Sequence, residues 1–212
     1  MFTIIYEDDV LLVCHKPAGL MVEPDRNNHP NLLSEVKKHL NIKTGEKTVY
    51  VQHLHRLDRV TSGIVLFTKN KNYLRYLSEQ FAKREVKKQY VAITQTAPQK
   101  SEDTLEHWHR KEQKKATIYV SEIEYAEKAQ LDYKVEAYKE FYKWHINLHT
   151  GKYHQIRAQL AWLKCPIIGD ELYGSSTAYQ ANSIALHAES LTITHPVTLQ
   201  KITFTCEATF CV

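Results

Sequence analysis

The chain has 212 residues, 43% of them hydrophobic and 25% charged, enough to bury a core in one large or two small domains and too apolar for a disordered protein. Lys and Arg number 28 against 24 Asp and Glu, a formal charge of +4, which permits a nucleic-acid partner through a local basic face without requiring one. The four cysteines, Cys14, Cys165, Cys206 and Cys211, show no C-x-x-C spacing, which argues against a ribbon-type zinc site and for a reducing, cytoplasmic setting.

The opening stretch MFTIIYEDDVLLVCHK holds only short apolar runs broken by acids, so it is neither a signal peptide nor a membrane span. It reads as strand, Asp-Asp turn and strand, followed by a loop from Pro17 to Gly19. Leu32, Leu33, Val36 and Leu40 then recur at helical spacing, and the polar run KTGEKT closes that helix. GIVLFT is apolar on both alternating faces, which predicts a strand buried on both sides. Asn70 caps the helix after it, with Leu74, Leu77 and Phe81 as its stripe. VKKQYVAIT is a further strand with Tyr90 near its middle. From about Gln99 to Gln130 the chain is charged and weakly periodic, which predicts a protruding arm or insertion rather than core. Tyr142, Trp144, Ile146 and Leu148 alternate with polar residues as in a half-buried strand, and Thr150-Gly151 turns the chain. Ile156, Leu160 and Leu163 follow at helical spacing, which places Arg157 in the first turns of a helix. The tail is strand-like in SIALHAESLTITHP and KITFTCEATF, and there is no internal repeat or low-complexity tract.

The stretch HLHRLDRVTSGIVLFTKN, from His53 to Asn70, carries the chemistry. His53, His55 and Asp58 form H-x-H-x-x-D, which approaches metal-hydrolase patterns, but those place the acid nearer the second histidine and require further ligands. The plainer reading is that these histidines hydrogen-bond loop backbone. Asp58 lies between Arg56 and Arg59, in a loop that feeds an interior strand. Thr61, Ser62 and Gly63 allow a tight turn with close backbone approach. A carboxylate beside a guanidinium favours its charged form and is available as nucleophile or base. Taken alone, Tyr90 is an ordinary core tyrosine, TGKYHQIR an ordinary strand-to-helix turn, and Arg157 an ordinary surface cation.

Together these segments resemble the RluA-type pseudouridine synthases, which isomerise uridine in ribosomal or transfer RNA. HRLDRVTSGIVLFTK is similar to that family's H-R-L-D-x-x-T-S-G signature with its apolar strand, and YEDDVLLVCHKPAGLMV to its opening segment ending in K-P-x-G. KKQYVAI resembles its K-x-Y strand. TGKYHQIRAQLA with PIIGDELYG resembles its T-G-R-x-H-Q-I-R helix and G-D-x-x-Y-G turn, and IALHAESLTITHP its A-L-H-A segment. The matches run in family order over nearly the whole chain, and Lys152 stands where arginine is usual.

The resemblance implies an α+β fold with a mixed, largely antiparallel sheet, flanking helices and a central RNA-binding cleft. It implies one catalytic domain over residues 1–212, with no preceding RNA-binding domain, so that target choice rests on the catalytic domain itself. It implies that Asp58 is the catalytic aspartate, that Tyr90 packs on the target base and helps move its proton, and that Arg157 pairs with Asp58. Arg56 would help hold RNA or the vacated stack, and Leu186 would line the floor under the uracil. Thr61, Ser62, Gly63, His154 and Gln155 complete the expected substrate-binding set. The implied reaction has no redox change, so no cofactor or metal is expected, in keeping with the absence of a GxGxxG or P-loop. The expected partner is structured RNA, with no membrane and no obligate protein partner. Two rivals remain at this level: a non-catalytic RNA-binding module of the same fold, and a metal-dependent hydrolase built on His53, His55 and Asp58.

Overall fold

The structure is a computed structural model that describes residues 2–27, 29–45 and 48–212. Met1 of the opening stretch, Asn28, and Glu46 and Lys47 of the helix-closing run lie outside the described residues. In chain order the elements are β1 (Thr3–Glu7), β2 (Leu11–Lys16), α1 (Leu32–Thr44), β3 (Gln52–His53) and β4 (Ser62–Thr68). Next come α2 (Leu74–Ala82), β5 (Lys87–Thr94), β6 (Glu102–Glu112), β7 (Lys115–Tyr119) and β8 (Glu127–Tyr138). The chain ends with β9 (Phe141–Leu148), α3 (Gln155–Trp162), β10 (Leu186–Thr194) and β11 (Lys201–Thr205). This is the α+β class, largely antiparallel, that the sequence implies. The chain divides into two compact units, Met1–Val86 with Ala188–Ala208, and Lys87–His187 with Thr209–Val212.

In the first unit the expected hairpin forms because Asp8 builds its turn. Its Oδ1 accepts from the amides of Val10 at 2.8 Å and Leu11 at 2.6 Å, an Asx-type closure that needs a short acidic side chain. β2 pairs antiparallel with β1 and β4, and β4 lies between β2 and β10. Every residue of β4 after Ser62 is buried, as its unbroken apolar run predicts. Helix α1 is capped by Asn31, whose side chain accepts from the Ser34 amide at 2.9 Å, and it ends at Gly45, φ 75°, the left-handed position that favours glycine. Asn70 caps as expected, although a single 3-10 turn, Lys71–Tyr73, precedes α2. Gln80 of α2 pairs with the backbone of Thr194 through both ends of its amide, at 2.9 and 2.8 Å. The core gathers Leu11, Val13, Ile64, Leu66, Leu77, Leu191, Ile193 and Phe204.

The second unit is an antiparallel sheet in the order β5-β9-β8-β6-β7. Trp144, fully buried on β9, donates through Nε1 to Thr94 Oγ1 at 2.8 Å, which satisfies the indole's one donor inside the core. The charged segment from about residue 99 to 130 carries β6, β7 and the start of β8. Its inward positions include Leu105, His107, His109, Ala116 and Ala129, all buried.

Candidate active site

In the first unit the Asp58 loop is a turn closed by the Thr61 amide donating to the Asp58 carbonyl at 3.1 Å. Asp58 itself is half-buried. The turn is fastened from the β2 side. The Gly19 amide donates to the Arg59 carbonyl at 2.8 Å, and Arg59 Nε donates to the Gly19 carbonyl at 3.0 Å. Lys16, 0% exposed, donates from Nζ to the carbonyls of Pro17, Leu20 and Arg59 at 3.0, 2.7 and 3.2 Å. All three ammonium protons thus have acceptors. Burial pushes the Lys16 ammonium down to about 7, opposed by the negative charge of Asp58.

After the turn, Gly63 has φ 122°, and a Cβ there would sit 2.4 Å from the Ala188 carbonyl oxygen and 2.5 Å from its amide nitrogen. Only glycine lets β4 approach β10 this closely. The tight turn with close backbone approach is therefore built as the sequence implies. Thr61 is buried and its Oγ1 has no hydrogen-bond partner among the described residues, while Ser62 is half-buried at the head of β4.

Arg56 is exposed and forms an ion pair with Glu23, which also lies 3.4 Å from His53 Nε2. Lys16 is a cation of this unit whose charge interacts with Asp58. His55 follows the plainer of its two readings: its Nε2 accepts from the Leu66 amide at 3.2 Å, and its ring stacks on Phe81 at 5.3 Å.

In the second unit Tyr90 is buried on β5, opposite Ile146 of β9, and Leu186 is buried at the start of β10. Arg157 lies in the first turn of α3, as its spacing implies, and is buried. It forks onto Asp170, with Nε donating to Oδ2 at 2.7 Å and Nη2 to Oδ1 at 2.8 Å. Its guanidinium carbon lies 5.0 Å from the centre of the Tyr173 ring. A bidentate carboxylate fixes a guanidinium in plane as well as in position.

The turn ahead of α3 depends on Gln155. Its Oε1 accepts from Thr150 Oγ1 at 2.8 Å and the Lys152 amide at 3.1 Å, and its Nε2 donates to the Gln130 carbonyl at 3.2 Å and Gln159 Oε1 at 3.0 Å. These four bonds use the full capacity of a side-chain amide, so Gln155 shapes the turn and has none left over for a ligand. His154 adopts φ 53°, stacks on Tyr153 at 3.8 Å, and places Nδ1 3.1 Å from the Tyr173 hydroxyl. That hydroxyl accepts from the Ala116 amide at 2.7 Å.

Sequence reasoning assigned no role to Lys16, Glu23, Asp170 or Tyr173. Three of them stand inside the quoted motifs, Lys16 in the K-P-x-G segment and Asp170 and Tyr173 in the G-D-x-x-Y-G turn. Their partners lie too far along the chain for spacing to show them.

A family model described as RNA pseudouridylate synthase matches residues 10–162, a span that enters both units. The dual-specificity RNA pseudouridine synthase RluA of Escherichia coli K12 is 34% identical over 215 residues, covering 98% of this chain and 93% of that protein. The protein of the same name from Haemophilus influenzae is 31% identical with the same coverage. Among solved structures, human RNA pseudouridylate synthase domain containing 4 matches with a TM-score of 0.82 at 23% identity, over 96% of this chain and 87% of that one. Human RNA pseudouridylate synthase domain containing 1 matches with a TM-score of 0.76 at 22% identity, over 98% and 84%. These two likenesses show the fold.

Proposed function

The chain belongs to the RNA pseudouridylate synthase family and is an isomerase that converts uridine to pseudouridine in RNA, and on that premise we propose that Asp58 is the carboxylate that acts at the glycosidic bond. The reaction breaks the bond from ribose to a base nitrogen, turns the base and rejoins it through a ring carbon. Breaking that bond develops positive charge on the sugar, which a fixed carboxylate stabilises. The observation that carries the assignment is the fastening of the Asp58 turn by Lys16 and the Gly19–Arg59 backbone pair. A reacting group held on rigid backbone needs no reorganisation when charge develops.

Arg157, oriented by Asp170, is the second charged group proposed for the reaction. Tyr90 is the aromatic that packs on the target base, and it assists the proton's departure from the ring carbon. Leu186 supplies apolar surface under the uracil, and stacking and apolar contact offset the few kcal/mol spent in everting a paired nucleotide. Arg56 meets RNA from its exposed position, and Thr61, Ser62, Gly63, His154 and Gln155 shape the binding surface. The substrate is structured RNA, ribosomal or transfer, acted on in the cytoplasm by one catalytic domain. Among the described residues no helix is long and apolar enough to cross a membrane.

The experiment is to incubate purified protein with RNA from cells lacking the gene and map pseudouridine at nucleotide resolution. The expected result is conversion at one or a few uridines, sharply reduced by Arg157→Leu. A wild-type rate in that variant would make the arginine a structural residue only.

A further inference from the structure

A single 3-10 turn, Glu171–Tyr173, follows α3 in the second unit, and Asp170 stands immediately before it. The Asp170 carbonyl accepts from the amides of Tyr173 and Ser175, both at 3.0 Å. This one turn presents two side chains to Arg157. Asp170 grips the guanidinium along its edge at 2.7 and 2.8 Å, and the Tyr173 ring lies against its face, 5.0 Å from ring centre to guanidinium carbon. The ring is itself held at its far end. The Tyr173 hydroxyl accepts from the Ala116 amide of β7 at 2.7 Å and lies 3.1 Å from Nδ1 of His154, the residue before α3.

The two contacts constrain different motions. A carboxylate fork takes two of the five guanidinium N–H groups, and it resists tilting about the line through its oxygens only weakly, because hydrogen bonds bend at little cost near linearity. A ring packed on the guanidinium face opposes that tilt, and the attraction between cation and ring is stronger where water is excluded. Arg157 is 5% exposed. We infer that Tyr173 is a positioning residue for the isomerisation. Its ring sets the plane of the Arg157 guanidinium, and hence the direction of the other three N–H groups, while Ala116 and His154 hold the ring in place. The inference rests on the reading of Arg157 given above and names a residue that reading does not use.

The test compares single-turnover pseudouridine formation, with enzyme in excess over RNA from cells lacking the gene, in wild type, Tyr173→Leu, Tyr173→Phe, Arg157→Leu and the double variant Tyr173→Leu/Arg157→Leu. Tyr173→Leu is expected to slow conversion by about 10- to 100-fold, the scale of a misplaced reacting geometry, while RNA affinity stays within about threefold of wild type. A contribution to folding alone would not slow folded enzyme assayed well below its Tm. Tyr173→Phe keeps the ring and should restore the rate to within about fivefold of wild type. In the Arg157→Leu background the same leucine should cost less than about a further twofold, because its effect passes through the guanidinium. A wild-type rate in Tyr173→Leu, a phenylalanine variant as slow as the leucine one, or full additivity in the double variant overturns the inference. Should Tyr173→Leu fail to fold, Tyr173→Met takes its place, since a flexible thioether chain fills the space without a ring. A slow Arg157→Leu beside a wild-type Tyr173→Leu refutes the positioning role alone. Arg157→Leu at the wild-type rate refutes the reading of the arginine, and with it the role given to Tyr173.

Discussion

Arg157 and Asp170 form a pair with side chains only 6% and 1% exposed, joined by two hydrogen bonds of 2.7 and 2.8 Å. Removing Asp170 takes the bidentate carboxylate from a buried guanidinium, so Asp170→Ala is expected to cost about 3–5 kcal/mol of unfolding free energy. For a chain of this size that lowers Tm by about 6–20 °C. Removing both charges with apolar residues of similar volume is different, because a buried pair is often no more stable than its hydrophobic replacement. The double variant Arg157→Met/Asp170→Leu should therefore recover at least half of the Asp170→Ala loss. Its turnover should stay as low as that of Arg157→Leu, since the positive charge proposed for the reaction is gone. Thermal and denaturant unfolding of the variants, read beside pseudouridine formation, form a double-mutant comparison. An Asp170→Ala cost below about 1 kcal/mol would refute the buried-pair reasoning. Restored turnover in the double variant would refute the proposed role of Arg157.

Gly63→Ala should destabilise the protein by at least about 3 kcal/mol, from left-handed strain together with overpacking against Ala188, and unfolding that differs from wild type by under about 1 kcal/mol would contradict the close approach of β4 and β10. Lys16 gives a pH dependence. Its folded value, pushed down to about 7 by burial, lies below the ordinary 10.5, so between those values the unfolded chain binds more protons and stability rises with pH, by up to about 1.4 kcal/mol per unit. Below the lower value both states hold the proton and this contribution is flat. The unfolding free energy of wild type minus that of Lys16→Met should accordingly increase from about pH 7 to pH 9, and a flat or falling difference would contradict it. His55→Leu leaves the Leu66 amide without its acceptor and should cost about 1–3 kcal/mol by denaturant unfolding; a neutral result would mean the amide finds another partner.

Much of the fold is legible in the sequence because its elements bury one face or two. β4 is an unbroken apolar run, β9 alternates around Trp144 and Ile146, and α1 and α3 repeat their apolar residues every three or four positions. The segment from about 99 to 130 is harder for a physical reason. Two inward positions of β6 are histidines, His107 and His109, so the alternation does not register as hydrophobic. His107 is satisfied inside by Gln159 Nε2 at 3.0 Å and by Trp162, whose ring lies 4.5 Å away. His109 is satisfied by the Tyr153 carbonyl at 2.7 Å. The candidate site divides in the same way. The family resemblance singles out Asp58, Tyr90 and Arg157, while the groups that hold the loops come from distant positions: Lys16 reaches Arg59, Glu23 takes Arg56, and Asp170 orients Arg157. Arg56 shows the limit of reading neighbours along the chain, for its charge goes to Glu23 although Asp58 is two residues away.

The central claim is that the Asp58 carboxylate performs the chemistry, and single-turnover conversion of a mapped uridine by Asp58→Asn tests it most directly. The substitution is nearly isosteric, so Tm and RNA affinity should match wild type while the rate falls by more than about a hundredfold. A folded, RNA-binding Asp58→Asn enzyme that converts its uridine at the wild-type rate would contradict the account.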